Sequence, residues 1–426
     1  MSTDNYVIRP YIPADAARLA VMWNESDDEW PDTFTEGVPM TEERVRNWLD
    51  PQSPLQDLVV ENQNGQASVG YGSLFDEPDQ RSTAYVGMLN VHPQHQGRSL
   101  CRRMLTDMAD WALTHNYHRL TLHTWPANIK SLPLYKKTGF FWMPDTRIYM
   151  ENYLPAILRL PAAQAFFEKH PWYTTFKREL KQVEDNQRHP RTDKMKVFIY
   201  RWEAEGDMLE AVIDPVGQAI TGLETNDFAA YALMNEDEPA QGIAYPVRWR
   251  IVNKRPEAVK VNLQASGEAG IDISHQAGFT LAAGKMRTLE AKVTCTVAAP
   301  KLTRDDKDKP APSIQTQVTI GTDTISLFTG LRYHPAVAVS TEPSIPSLLP
   351  GRPQPIYLQL RNRAGRALQG RLNLVSQNGL SVKAETLDFQ TETGGYAGLP
   401  VTNSEEWNFS ELAVCFDKPF PREWAP

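Results

Sequence analysis

Cysteine is nearly absent. The three that occur, Cys101, Cys295 and Cys415, are too few and too widely spaced for a disulfide framework or a metal cluster. No apolar run approaches the ~20 residues that span a bilayer. The opening MSTDNYVIRP has neither the basic nor the apolar region of a signal peptide. Basic charge is not in excess either: 44 Lys and Arg stand against 52 Asp and Glu, a net charge of −8 that argues against a nucleic-acid surface. Together these absences describe a cytoplasmic protein with no membrane, nucleic-acid or metal partner. With 426 residues, 41% of them hydrophobic, the chain exceeds one hydrophobic core, and roughly two to four domains are expected.

Residues 85–105, YVGMLNVHPQHQGRSLCRRML, are the most telling stretch that is present. An apolar strand breaks at His92 and Pro93, and a small-residue loop then opens into an amphipathic helix. Backbone N–H groups of Gln96, Gly97, Arg98, Ser99, Leu100 and Cys101 are expected to converge at the helix start, where unsatisfied donors and the positive dipole end favour an anion. The loop is not a P-loop, since no Gly-Lys-Ser/Thr follows, and Gly-x-Gly-x-x-Gly is absent. A second motif lies in residues 120–141, LTLHTWPANIKSLPLYKKTGFF: a strand, then Asn128 seven positions before Tyr135, then Gly139 and Phe140.

The pair of motifs resembles the GCN5-related N-acetyltransferase (GNAT) family. Its cofactor loop reads Gln/Arg-Gly-x-Gly-x-Gly/Ala, and its next motif Asn, six residues, Tyr, three residues, Gly-Phe. Here Ser99 and Cys101 replace the second and third small residues of the loop, while Asn128, Tyr135, Gly139 and Phe140 match throughout. The resemblance covers residues 6 to about 150. It implies acetyl-CoA as co-substrate, an amine-bearing acceptor, and pyrophosphate held by Gln96, Gly97, Arg98, Ser99, Leu100, Cys101 and Arg102. It also implies pantetheine amides held by the backbones of Leu89 and Val91, with Asn128 touching the arm or a bound water. Tyr135 falls at the position of the tyrosine that protonates the departing thiolate. Cys101 reads as a stand-in for a small residue at a tight helix start rather than as a nucleophile.

An amine attacks a thioester only when neutral, and a lysine-like amine is neutral in roughly one molecule per two thousand at pH 7, so a base is required. His123, five residues before Asn128 on the strand, is the candidate; a half-exposed strand histidine is the competing reading. His92 is a second option, although the residue between Val91 and Pro93 is expected to face outward at the cradle mouth. Glu25, Asp27, Asp28, Glu29 and Asp32 form an acidic run that lines the acceptor site in this family, with Glu25 and Asp28 as the substrate-binding choices; a solvated loop is the alternative. Trp125 either shapes the acceptor pocket or covers the sheet end.

Along the chain, a strand is expected at 6–9 and a helix behind Pro13 with Leu19, Met22 and Trp23 inward. A helix capped by Thr41 follows, with Val45, Trp48 and Leu49 inward, and then a hairpin turned at Asn64-Gly65. Ser131 as N-cap would put Pro133 harmlessly in the first turn of the Tyr135 helix. Beyond Met195 the period changes to two. PVRWRIVN at 246–253 recurs as PIYLQLRN at 355–362, an offset of 109 that also carries Gly270-Ile271-Asp272-Ile273 onto Gly379-Leu380-Ser381-Val382. The fold class expected is α+β: a GNAT-type mixed sheet with flanking helices over 1–152, and a helical connector with a β-hairpin segment over 153–236. Two tandem immunoglobulin-like β-sandwiches then occupy 237–342 and 343–426. The sandwiches leave two further readings: a non-catalytic acyl-CoA-binding module whose sandwiches bind a protein or glycan partner, and self-association through them.

Overall fold

The computed structural model describes residues 5–30, 34–64, 67–78, 80, 82–125, 127–143, 149–178, 180, 197–236, 238–268, 270–296, 309–342, 354–373, 380–382, 386–392, 396–398 and 410–416. The tract LTRDDKDKPAPS at 302–313, whose charge and prolines predict a solvated loop within the first sandwich, lies outside them up to residue 308.

β1 (Tyr6–Pro10) is followed by a 3-10 turn begun by Pro13 and then α1 (Ala16–Glu25), whose Leu19, Met22 and Trp23 are buried as expected. Thr41 caps α2 (Glu42–Leu49) through its hydroxyl, which accepts from Arg44 N at 3.2 Å. Val45 and Leu49 face inward, but Trp48 is 38% exposed: it edges onto Trp23 and Phe34, outside the packed layer. β2 (Gln56–Asn62), β3 (Ala67–Asp76) and β4 (Thr83–Val91) form an antiparallel meander, and α3 (Leu100–Thr114) crosses to β5 (Arg119–His123), which runs parallel to β4. α4 (Leu132–Lys137), β6 (Phe140–Trp142) and β7 (Tyr149–Asn152) complete a seven-stranded mixed sheet ordered β1-β2-β3-β4-β5-β7-β6.

Burial in this sheet is not free of cost. Asp57 is the second residue of β2, and burial pushes its carboxyl up to about 6 against the lowering effect of a hydrogen bond from Tyr71. The folded pKa lies above the unfolded one. The protonated form therefore favours folding below pH ~4, and that advantage is lost as pH rises through about 6. Asp57→Asn is expected to raise stability at neutral pH by about 1–2 kcal/mol, discounted for partial solvent contact, with no gain at pH ~4. Urea unfolding at the two pH values checks this, and equal neutral-pH midpoints refute it.

Three short helices follow, α5 (Leu154–Leu158), α6 (Pro161–Phe167) and α7 (Trp172–Thr175). Next come β8 (Phe176–Lys177), β9 (Phe198–Ala204), β10 (Asp207–Asp214), β11 (Ala219–Glu224) and β12 (Phe228–Leu233). β13 (Ala244–Asn253), β14 (Val259–Gly267), β15 (Ile271–Asp272), β16 (Ser274–Leu281), β17 (Met286–Cys295), β18 (Ser313–Ile320) and β19 (Asp323–Gly330) complete the middle region. β8 to β12 are not a separate connector hairpin. They continue into β13, β17 and β15 as one eight-stranded antiparallel sheet, so the boundary expected at 236/237 falls between paired strands, Tyr231 opposite Arg250. The four-stranded sheet β16-β14-β18-β19 packs against it, and Trp249 Nε1 donates across the layer to Thr316 Oγ1 at 2.9 Å.

β20 (Val337–Glu342), β21 (Gln354–Asn362), β22 (Leu368–Asn373), β23 (Leu380–Val382), β24 (Thr386–Thr391), β25 (Tyr396–Gly398) and β26 (Ser410–Phe416) end the chain's described strands. The offset of 109 is structural. Asn253 donates to Glu257 O at 2.7 Å and accepts from Arg255 N at 3.0 Å; Asn362 donates to Arg366 O at 2.7 Å and accepts from Ala364 N at 2.8 Å. Pairing repeats as well: β13 with β17, β17 with β15 and β14 with β16 are matched by β21 with β26, β26 with β23 and β22 with β24. Among the described residues no helix is long and apolar enough to cross a membrane.

Candidate active site

The cleft exists because two parallel strands part company. β4 pairs with β5 where Thr83, Ala84 and Tyr85 meet Arg119, Leu120 and Thr121; among the described residues no strand lies beside its outer edge from Val86 to Val91. A bulge reinforces the divergence. Val86 lies opposite Leu74 and Met88 opposite Ser73, leaving Gly87 as the extra residue. A Cβ on Gly87 would stand 2.6 Å from the Phe75 ring, so glycine alone fits. The space beside this edge is a cavity of about 460 Å³ lined by Val86–Val91, the loop and first turn of α3, the end of β5, and the Asn128–Tyr135 segment.

At the α3 end of the cavity the loop turns twice through the left-handed region, at Gly97 (φ 73°) and Ser99 (φ 62°, ψ 18°), before α3 begins at Leu100. That conformation is why a glycine is favoured at the position Ser99 occupies. Arg103 N makes the first rung, to Ser99 O at 3.0 Å, so the N–H groups of Leu100, Cys101 and Arg102 have no acceptor within the helix. Gln96 is different from the expectation: its N–H is spent on Pro93 O at 3.3 Å and its side chain donates to Val91 O. Arg98 turns away, its guanidinium 5.9 Å from the Tyr6 ring centre and outside the cavity lining. Burial pushes the Cys101 thiol up to about 12, which keeps it neutral and removes it as a nucleophile.

Tyr135 lies on α4 with Cys101 beside it. Burial pushes its phenol far above the ordinary tyrosine value, Cys101 adds to this, and a hydrogen bond to Ser131 only partly opposes it, so the O–H stays protonated. The start of α4 is organised by Asn128 rather than by Ser131, whose side chain makes no cap bond. Asn128 Oδ1 accepts from Ser131 N at 3.1 Å, its carbonyl accepts from Leu132 N at 3.0 Å, and its Nδ2 donates to Thr124 Oγ1 at 3.0 Å. Asn128 therefore lines the cavity while holding the turn that aims Tyr135, and Pro133 falls in the first turn without loss of a bond. His123, exposed at the end of β5, enters the same cavity with Trp125, its ring between those of Tyr85 (5.5 Å) and Tyr149 (5.1 Å).

Other expectations change place. His92 is buried rather than outward: Nε2 meets Glu25 Oε2 at 2.8 Å and Nδ1 accepts from Gln94 N, so neither His92 nor Glu25 lines the cavity. Asp28 is exposed and also outside it; the acidic run contributes Glu29 instead, ion-paired with Lys130 at 2.5 Å. His95, Trp30, Lys130 and Tyr173, none of them among the expected site residues, also line the cavity. His95 is bonded to the Tyr6 hydroxyl at 3.0 Å, and burial, then His92 and Arg98, lower its pKa and keep it neutral. His95 was legible as part of the loop, but Tyr173 comes from α7, beyond the motifs, and carried no local signal. Among the described residues no three His, Cys, Asp or Glu side chains gather at one point.

A parted parallel strand pair, a bulged β4, a left-handed loop and a helix N-terminus coincide with a sequence match: the model of the acetyltransferase (GNAT) family covers residues 21–140. Residues 21–140 form a GNAT acetyltransferase domain. The family uses acetyl-CoA as co-substrate and acts on amine-bearing acceptors. Among solved structures, the chain is similar to an N-acetyltransferase from Staphylococcus aureus Mu50, at 17% identity over 35% of this chain and 99% of that one, with a TM-score of 0.30. It is similar to yncA from Salmonella typhimurium, a structure described with its cofactor acetyl-CoA, at 24% identity over 35% and 94%, TM-score 0.30. An acetyltransferase from Thermus thermophilus matches at 22% identity over 36% and 97%, TM-score 0.30. Curated proteins give no match.

The GNAT domain is stitched to the β-rich region downstream of it. Tyr200 on β9 donates to Gly139 O at 2.7 Å and accepts from Tyr153 N at 2.8 Å, while Arg178 Nη1 donates to Lys136 O at 2.9 Å and Phe140 O at 2.6 Å. Gly139 takes φ 100° and a Cβ there would meet Asn152 Oδ1 at 2.8 Å, which is why the motif needs glycine. The downstream sheet thus grips the segment that leaves the Tyr135 helix.

Proposed function

We propose that the chain is an acetyl-CoA-dependent N-acetyltransferase that passes acetyl directly to a primary amine. One observation carries this reading: Tyr135, His123, the parted edge of β4 and the first turn of α3 line a single cavity. The first-turn N–H groups of α3 and the adjacent Gly97 suit a pyrophosphate, and the open edge at Leu89 and Val91 suits the amides of a pantetheine arm added as a strand. His123 takes one proton from the acceptor's ammonium, the neutral amine nitrogen then bonds to the acetyl carbon, and the C–S bond breaks as the nitrogen releases a second proton, which restores the Tyr135 phenol after it has protonated the sulfur. Tyr135 gives its proton to the leaving sulfur, a role supported by a phenol that burial keeps protonated. Trp125 borders the acceptor side, where its aromatic face favours a cationic amine, while Glu29 there is already paired with Lys130.

The repeated pairing of the two later β regions supports their reading as tandem immunoglobulin-like units that serve as spacers or docking modules. A non-catalytic acyl-CoA-binding module is the rival account. Calorimetry with acetyl-CoA, paired with turnover on a panel of small amines, amino sugars and peptides, separates them. Binding with acetylation of at least one amine is expected; binding without turnover on any favours the module, and no binding removes both.

A further inference from the structure

Tyr173 sits outside the family-matched residues, yet its ring stands at the rim of the cavity. It is held there by the downstream sheet: Trp202 Nε1 on β9 donates to the carbonyl of the neighbouring Trp172 at 3.0 Å, at the start of α7. Two cations converge on the same ring. Arg102, in the first turn of α3, has its guanidinium carbon 4.9 Å from the ring centre, and Lys137, in the last turn of α4, has its Nζ 5.6 Å away. Lys137 spends one of its three N–H donors on Phe176 O at 3.2 Å, which fixes it beside α7.

Three elements far apart in sequence thus build one aromatic and doubly cationic corner next to the phosphate cradle. Such a corner has the chemistry for a planar base and an anion presented together: bases stack on tyrosine and on guanidinium planes, and a phosphate takes charge-assisted bonds from Arg and Lys. Resting on the acetyl-CoA reading above, we propose that Tyr173, Arg102 and Lys137 seat the adenosine 3′-phosphate end of coenzyme A. The region after the GNAT domain then completes the co-substrate site, and the enzyme distinguishes coenzyme A from its 3′-dephospho form.

The test is calorimetric titration of the full chain with acetyl-CoA and with acetyl-3′-dephospho-CoA. Wild type is expected to bind the first about tenfold tighter, and Arg102→Gln with Lys137→Gln to shrink that ratio to within about twofold. Tyr173→Ala is expected to weaken both ligands about tenfold, while Tyr173→Phe, which keeps the ring, binds as wild type. Equal wild-type affinity for the two ligands, or unchanged affinity in Tyr173→Ala, overturns this inference and leaves the acetyltransferase reading standing. Failure of wild type to bind either ligand overturns both. Circular dichroism melting of each variant identifies any loss of binding that comes from unfolding, and the phenylalanine variant then decides the role of the ring.

Discussion

Tyr135→Phe is expected to lower kcat about 10²–10³-fold while the acetyl-CoA dissociation constant stays within about twofold, because positioned proton transfer contributes roughly that much to a rate. The substitution removes one oxygen and keeps the ring, which packs edge-on to Phe140 at 6.1 Å. The hydroxyl lies in a buried setting beside Cys101 and Ser131, and that setting is what holds its proton. Protonation of the sulfur as the C–S bond breaks is made only in the transition state, so the loss belongs in the chemical step and not in binding. The pH profile gives a second readout. With its phenol raised far above the usual tyrosine range, Tyr135 imposes no alkaline fall in kcat near pH 10. Single-turnover rates measured beside binding decide the matter, and a rate equal to wild type removes Tyr135 from the mechanism.

The largest stability effect is expected at Arg119, which with Glu151 forms an ion pair whose side chains are 5% and 0% exposed, at 2.8 Å. Burial alone would lower the guanidinium pKa, but the Glu151 charge outweighs it and the group stays cationic. Tyr153 donates to the other Glu151 oxygen at 2.5 Å, and Gln80 accepts from Arg119 and from the Tyr149 hydroxyl. Arg119→Met leaves a carboxylate in the core without its cation, and about 3–5 kcal/mol of destabilisation is expected. Replacing both, Arg119→Met with Glu151→Met, should recover most of that, because neither charge then has to be desolvated. Denaturant midpoints of the single and double variants test this; a single variant within about 1 kcal/mol of wild type sinks it. The network also reaches the site. Tyr149, held by Gln80, packs 5.1 Å from the His123 ring, so Arg119→Met should lower turnover before the protein unfolds.

Much of this was legible from residues alone because its causes are local. Apolar spacing placed α1, α2 and α3, and Thr41 announced its cap. The seven-residue spacing of Asn128 and Tyr135 put both in one cavity, and an asparagine repeated at an offset of 109 revealed two copies of one strand arrangement. In each case the partners are a few residues away, so pattern and structure carry the same information.

What the tertiary structure alone decided depends on partners distant in the chain. His92 meets Glu25 across 67 positions, which holds that exposed acid away from the cavity and leaves Glu29 to border it. Tyr200 reaches Gly139 across 61, joining the supposed connector to the Tyr135 segment, and Tyr173 arrives beside Arg102 and Lys137 only after α7 docks on β9. Helical and strand periods say which face of an element is apolar, but not which other element will cover it. Sequence therefore determined the loop that opens into α3, and long-range packing determined which side chains share the cavity with it.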